Sequence, residues 1–73
     1  MSPDVSHLLQ FFRFDHLPPH LRAVSEPFAA LANDMASRLD GPELVVGLRK
    51  LLESKDCCVR AALSRPTRAQ DGR

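Results

Sequence analysis

Prolines divide this chain before any other feature does. Pro18-Pro19, Pro42 and Pro66 bound two stretches of roughly 20 residues each, and proline is tolerated in the first turn of a helix but not deep inside one. Within the first stretch, Leu21, Val24, Phe28, Leu31 and Met35 recur at spacings of three and four residues. That period predicts a helix with one apolar seam facing the rest of the protein. Pro27 falls inside it and removes one backbone hydrogen bond, so a bend or a local break is expected near Val24 to Pro27. Asp40-Gly41-Pro42-Glu43 combines a side-chain acceptor, a flexible joint, a helix-compatible proline and a carboxylate able to reach back, which together predict the start of a second helix. Its apolar residues form two adjacent stripes, Leu44, Leu48, Leu51, Cys58 and Ala62, then Val45, Leu48, Leu52, Val59 and Leu63. One antiparallel neighbour uses a single seam, so the wider face predicts packing on the first helix and on another subunit. Arg65-Pro66 ends the helix.

The expected fold class is therefore all-α: an antiparallel helical hairpin preceded by a short N-terminal apolar segment or helix over residues 5–14 and a turn rich in Pro and His over 15–19, assembling as a helical oligomer. The hairpin domain spans 1–65, and 66–73 reads as a mobile basic tail without apolar period. Oligomerisation also follows from size. A chain of 73 residues sits where one core rarely suffices without staples. Its only two cysteines, Cys57 and Cys58, are adjacent and cannot bridge without strain, nor do they make a four-ligand zinc site. No apolar run approaches the length of a membrane span, and Met1-Ser2-Pro3-Asp4 lacks the start of a secretory signal, so no membrane partner and a cytoplasmic location are expected.

The richest local chemistry is Phe11-Phe12-Arg13-Phe14-Asp15-His16. Phe11 and Phe12 read first as a hydrophobic plug over the open end of the hairpin. Phe14, beside polar Asp15 and His16, is the ring placed to stack on a nucleobase if it is exposed. His16 and His20 have a helical ligand offset, but Pro18 disfavours a helix across that interval, so no metal is expected and His16 is read as ordering the turn. The serines lie in no recognised catalytic setting and the three glycines make no phosphate-cradling loop, which argues against an enzyme and against a cofactor. On the second helix Lys55 occupies a place in the first apolar stripe, where a long basic chain either snorkels or meets an anion. Arg22 with Glu26, Asp34 with Arg38, Arg49 with Glu53 and Asp56 with Arg60 have the four-residue spacing of exposed helix ion pairs.

Three segments, Phe12 to Leu21, Val24 to Phe28 and Leu48 to Asp56, resemble the small hairpin domain of phage-encoded cyclic-nucleotide sponges, which counter CBASS-type and Thoeris-type bacterial immunity. The aromatic-x-aromatic start, the Pro-rich turn and the Leu-Arg-Lys-Leu helix carry the similarity, which spans most of residues 11–63. The resemblance implies a helical hairpin that assembles into a compact homo-hexamer in the cytoplasm of an infected host. It also implies that cyclic di- or trinucleotides are held between subunits without being degraded. Flat apolar groups would meet the bases, and cationic donors the phosphates. Phe14 matches the stacking position, and Arg22 and Arg60 are the phosphate candidates. With Phe12 of the same motif and Lys55, the candidate ligand-binding set is Phe12, Phe14, Arg22, Lys55 and Arg60. Two positions depart from the family pattern: Phe14 stands where many relatives carry Tyr, and Glu26 where relatives often present Lys. Arg22, four residues before Glu26, is placed to neutralise it.

Two other classes compete with the sponge reading. A protein-interaction hairpin, such as a phage adaptor or inhibitor, would use the seam of the second helix to bind a host helix. A small DNA-binding regulator is favoured by charge asymmetry, since residues 1–40 carry three basic and five acidic side chains and 41–73 seven and four. However, the net charge is only +1, and Glu43, Glu53 and Asp56 interrupt the second helix, so no DNA partner is expected.

Overall fold

In the computed structural model, which describes residues 2–64, the chain is all-helical. Helix α1 spans Pro3–Leu9 and runs on into a 3-10 turn, Gln10–Phe12. Helix α2 spans Pro19–Arg38 and α3 spans Pro42–Ser64; these two form a long hairpin, and α1 lies against both. The expected tail over 66–73 lies outside the described residues.

Each start is local chemistry. Ser2 caps α1 by accepting the Val5 amide at 3.3 Å, Pro3 fills the first turn, and Asp4 faces the positive end of the helix dipole. Seven residues are too few to hold a helix alone. Burial of Val5 and Leu8 against the hairpin holds it. Pro18, extended at ψ 156°, caps α2 with its carbonyl, which accepts the amides of Leu21 and Arg22. The first amides of α3 donate to the Gly41 carbonyl, and Gly41 has φ +99°, a conformation that side-chain-bearing residues rarely adopt. Glycine is thus required at this joint for its backbone angle as well as its flexibility.

Helix α2 runs on through Pro27, so of the expected bend or local break there is no break. Its buried face also differs from the seam read in the sequence. Leu21, Ser25, Ala29, Ala32 and Ala36 are buried, whereas Val24, Phe28 and Met35 are half-buried and Leu31 is 47% exposed. The reason is steric: small side chains let α1 and α3 approach closely, and the larger residues fall on the flanks. Ala29, Ala32 and Ala36 form one core with Val5, Leu8 and Phe12 from the N-terminal segment and Leu44 and Leu48 from α3. Ser25 brings a hydroxyl into this interior with no hydrogen-bond partner.

Core contact fades along α3. Leu44 and Leu48 are buried, and Val45, Leu51 and Leu52 pack against them from the edge. Beyond that point Val59 and Ala62 are half-buried, Cys57 and Cys58 are exposed, and Leu63 is 56% exposed. Both expected stripes are therefore less covered in the C-terminal half of the helix. Of the four expected ion pairs, Asp34 with Arg38 forms at 2.8 Å. Among the described residues Arg22 with Glu26, Arg49 with Glu53, and Asp56 with Arg60 do not, and Asp56 pairs with Lys55 at 3.0 Å.

Candidate functional site

The chain leaves the 3-10 turn at Arg13, which is extended, and exposure alternates from Phe11 to Asp15. Phe12 and Phe14 point to the core, at 1% exposure and half-buried respectively, while Phe11, Arg13 and Asp15 point out. This parity overturns half of the expected plug, since Phe11 is 49% exposed. The His7 ring meets the Phe11 ring edge to face at 5.2 Å, and His7 Nδ1 and Gln10 Nε2 lie 2.9 Å apart, so α1 orients the exposed ring. The Leu17 amide donates to the Phe14 carbonyl at 3.1 Å, closing a turn that carries His16 on its exposed side.

The middle of α3 comes up against this segment. Lys55 is 13% exposed, and its Nζ donates to the Phe11 carbonyl at 2.9 Å. That carbonyl is in the last turn of the 3-10 segment, where carbonyls lack amide partners and a cation is favourable. Lys55 thus snorkels along α3 and fastens the N-terminal segment to it. Around this staple lies a pocket of about 210 Å³ lined by Phe11, Arg13, His16, Leu17, Lys55, Asp56, Val59 and Arg60. Arg13 reaches Asp15 at 3.8 Å with both side chains largely exposed, and Lys55 faces Asp56. Among the described residues Arg60 has no carboxylate partner; its Nη2 donates to Cys57 Sγ at 3.3 Å, a weak acceptor. Arg60 is therefore the cation in this pocket with most of its hydrogen-bonding capacity open.

Of the five residues chosen from sequence, Lys55 and Arg60 meet in this pocket. The Phe12 ring is enclosed by the core and leaves no face for a ligand. Phe14 packs against the core, and Arg22 lies half-buried in the first turns of α2; neither lines the pocket. Sequence reasoning missed Phe11, Arg13 and His16 as lining residues. Exposure alternates along this run, which sets Phe11 and Arg13 on the open side and Phe12 and Phe14 on the core side.

A second concavity of about 500 Å³ runs between α2 and α3 on the hairpin side, lined by Leu31, Met35, Leu39, Leu44, Leu48 and Leu51, with Asp40, Glu43 and Gly47 at its edges. Its walls are apolar, unlike those of the first pocket. Among the described residues no three His, Cys, Asp or Glu side chains converge as a metal site, and no helix is long and apolar enough to cross a membrane.

No family model, curated protein or solved structure matches the chain.

Proposed function

We propose that this chain is a phage-encoded sponge that binds cyclic di- or trinucleotide immune signals without cleaving them. It would act as a homo-oligomer, six subunits by the resemblance, in the cytoplasm of an infected bacterium. The observation that carries the reading is the pocket of Phe11, Arg13, His16, Lys55 and Arg60: an exposed aromatic ring beside three cations, one of them, Lys55, paired with the Asp56 carboxylate that also lines it. A ring face suits a base and guanidinium groups suit phosphate oxygens. Sequestration needs only this binding, since a signal held on the protein is withdrawn from its receptor by stoichiometry. No covalent step is involved.

Volume supports a shared site. The pocket measures about 210 Å³, below the roughly 300–1,000 Å³ of sites that enclose a whole small molecule. One protomer would hold a base and an adjoining phosphate, and a neighbouring copy the remainder. Lys55 is already hydrogen-bonded, so it sets the pocket's shape and field, while Arg60 and Arg13 supply the free donors.

The test is equilibrium dialysis against cyclic di- and trinucleotides, with chromatography of what the protein releases. Wild type retains nucleotide and returns it intact. Replacing Arg60 with Ala removes charge-assisted hydrogen bonds of about 1.5–3 kcal/mol, equivalent to at least about tenfold weaker retention. Wild type that retains nothing, or returns linear products, refutes the proposal. The apolar groove favours the second reading, an interaction hairpin that seats an amphipathic host helix. That reading predicts a monomeric chain with no nucleotide bound.

A further inference from the structure

Gly47 sits in the interior of α3, where glycine costs a helix about 1 kcal/mol relative to alanine. Among the described residues nothing calls for it. A Cβ built there meets no atom within 4 Å, and its φ is not in the left-handed region. Gly47 lines the apolar groove beside Leu44, Leu48 and Leu51, with Leu31 and Leu39 across from them at 47% and 55% exposure. A bare backbone on the wall of an uncovered apolar groove fits close approach by a second body.

Charge identifies that body. Glu43, Gly47, Lys50 and Ser54 follow one another along one edge of α3 at spacings of four, three and four residues. Glu43 and Lys50 are both exposed, and neither takes part in an ion pair among the described residues. They lie about 5 Å either side of a midpoint next to Gly47, at 1.5 Å rise per residue. Opposite charges placed symmetrically about a glycine are self-complementary under two-fold rotation. A second α3, antiparallel and crossing at Gly47, puts Glu43 of each copy against Lys50 of the other, forming the pair twice.

We infer that the groove between α2 and α3 is a two-fold interface with a second copy of this chain, centred on Gly47 and registered by reciprocal Glu43–Lys50 pairs. Leu31 and Leu39 of each copy are covered in it, which enlarges a core too small for a chain without disulfide or metal. The inference does not depend on the ligand: it fixes where copies meet, and nucleotide retention can fail while it stands.

Sedimentation velocity across a dilution series tests it, with circular dichroism to check helix content. Gly47→Leu should lower the subunit count while keeping or raising helix content, because leucine is the better helix former and a Cβ at this position meets no atom within 4 Å among the described residues. Glu43→Lys and Lys50→Glu should each weaken association at least about tenfold, since each sets two like-charge contacts across the interface. The double reversal should restore it, an outcome that an asymmetric partner would not produce. A wild type that is monomeric throughout, variants with the wild-type subunit count, or a double reversal that fails to rescue would each overturn the inference.

Discussion

Phe11 and Phe12 are adjacent in sequence and opposite in environment, so truncating each gives the sharpest test of how the N-terminal segment is built. Phe12 is 1% exposed and Phe11 49%. A buried aromatic side chain covers about 150–250 Å², and at about 25 cal/mol per Å² most of that is lost on truncation to Ala. The Phe12 site also leaves a cavity in the core, so Phe12→Ala should cost about 3–5 kcal/mol. Phe11→Ala gives up roughly half the area and leaves no enclosed void, for about 2 kcal/mol. A core of this size supports about 3–5 kcal/mol in total, so the first variant should be largely unfolded and the second mostly folded. Urea titration followed by far-ultraviolet circular dichroism reads both. A Phe12→Ala chain that unfolds within about 1 kcal/mol of wild type would refute the assignment of this ring to the core and return it to the surface.

The other expectations concern single polar groups and one backbone angle. Ser25→Ala removes a buried hydroxyl without a partner at almost constant volume, and should raise stability by about 1 kcal/mol in the same titration; a loss would mean the hydroxyl is bonded. Lys55→Met keeps the apolar stem and deletes the bond to the Phe11 carbonyl. It should cost about 1.5 kcal/mol, the low end for a charged donor because the bond is open to solvent, and should speed amide exchange in α1 and the 3-10 turn. Unchanged exchange there would remove its role as a staple. Gly41→Ala forces a side chain onto φ +99° and should cost about 1 kcal/mol; no change would mean the joint relaxes freely.

Both long helices were legible because proline and glycine mark their starts: α2 begins at Pro19 and α3 at Pro42, as the punctuation predicted. The face that α2 buries was not legible. Apolar period picks out the largest side chains, Phe28, Leu31 and Met35, whereas close helix approach buries the smallest, Ala29, Ala32 and Ala36. The candidate site was half legible for a related reason. Lys55 stood out as a cation in an apolar stripe, and the structure puts it between α3 and the Phe11 carbonyl. Phe11 was overlooked because it was read together with Phe12 as a plug, whereas the structure buries Phe12 and exposes Phe11, with Arg13 following on the open side. Ion-pair choice was open to the same difficulty, since Asp56 had Lys55 and Arg60 both in reach and only the fold placed Lys55 nearer.

Native mass spectrometry of the whole chain mixed with cyclic di- and trinucleotides tests the sponge reading most directly, because assembly and ligand are read from the same ions. The account predicts a defined homo-oligomer that gains intact nucleotide in symmetry-related multiples, and loses that gain when Arg60 is replaced by Ala with the assembly preserved. A monomer without adducts, or an oligomer that takes up none of these nucleotides, would contradict it.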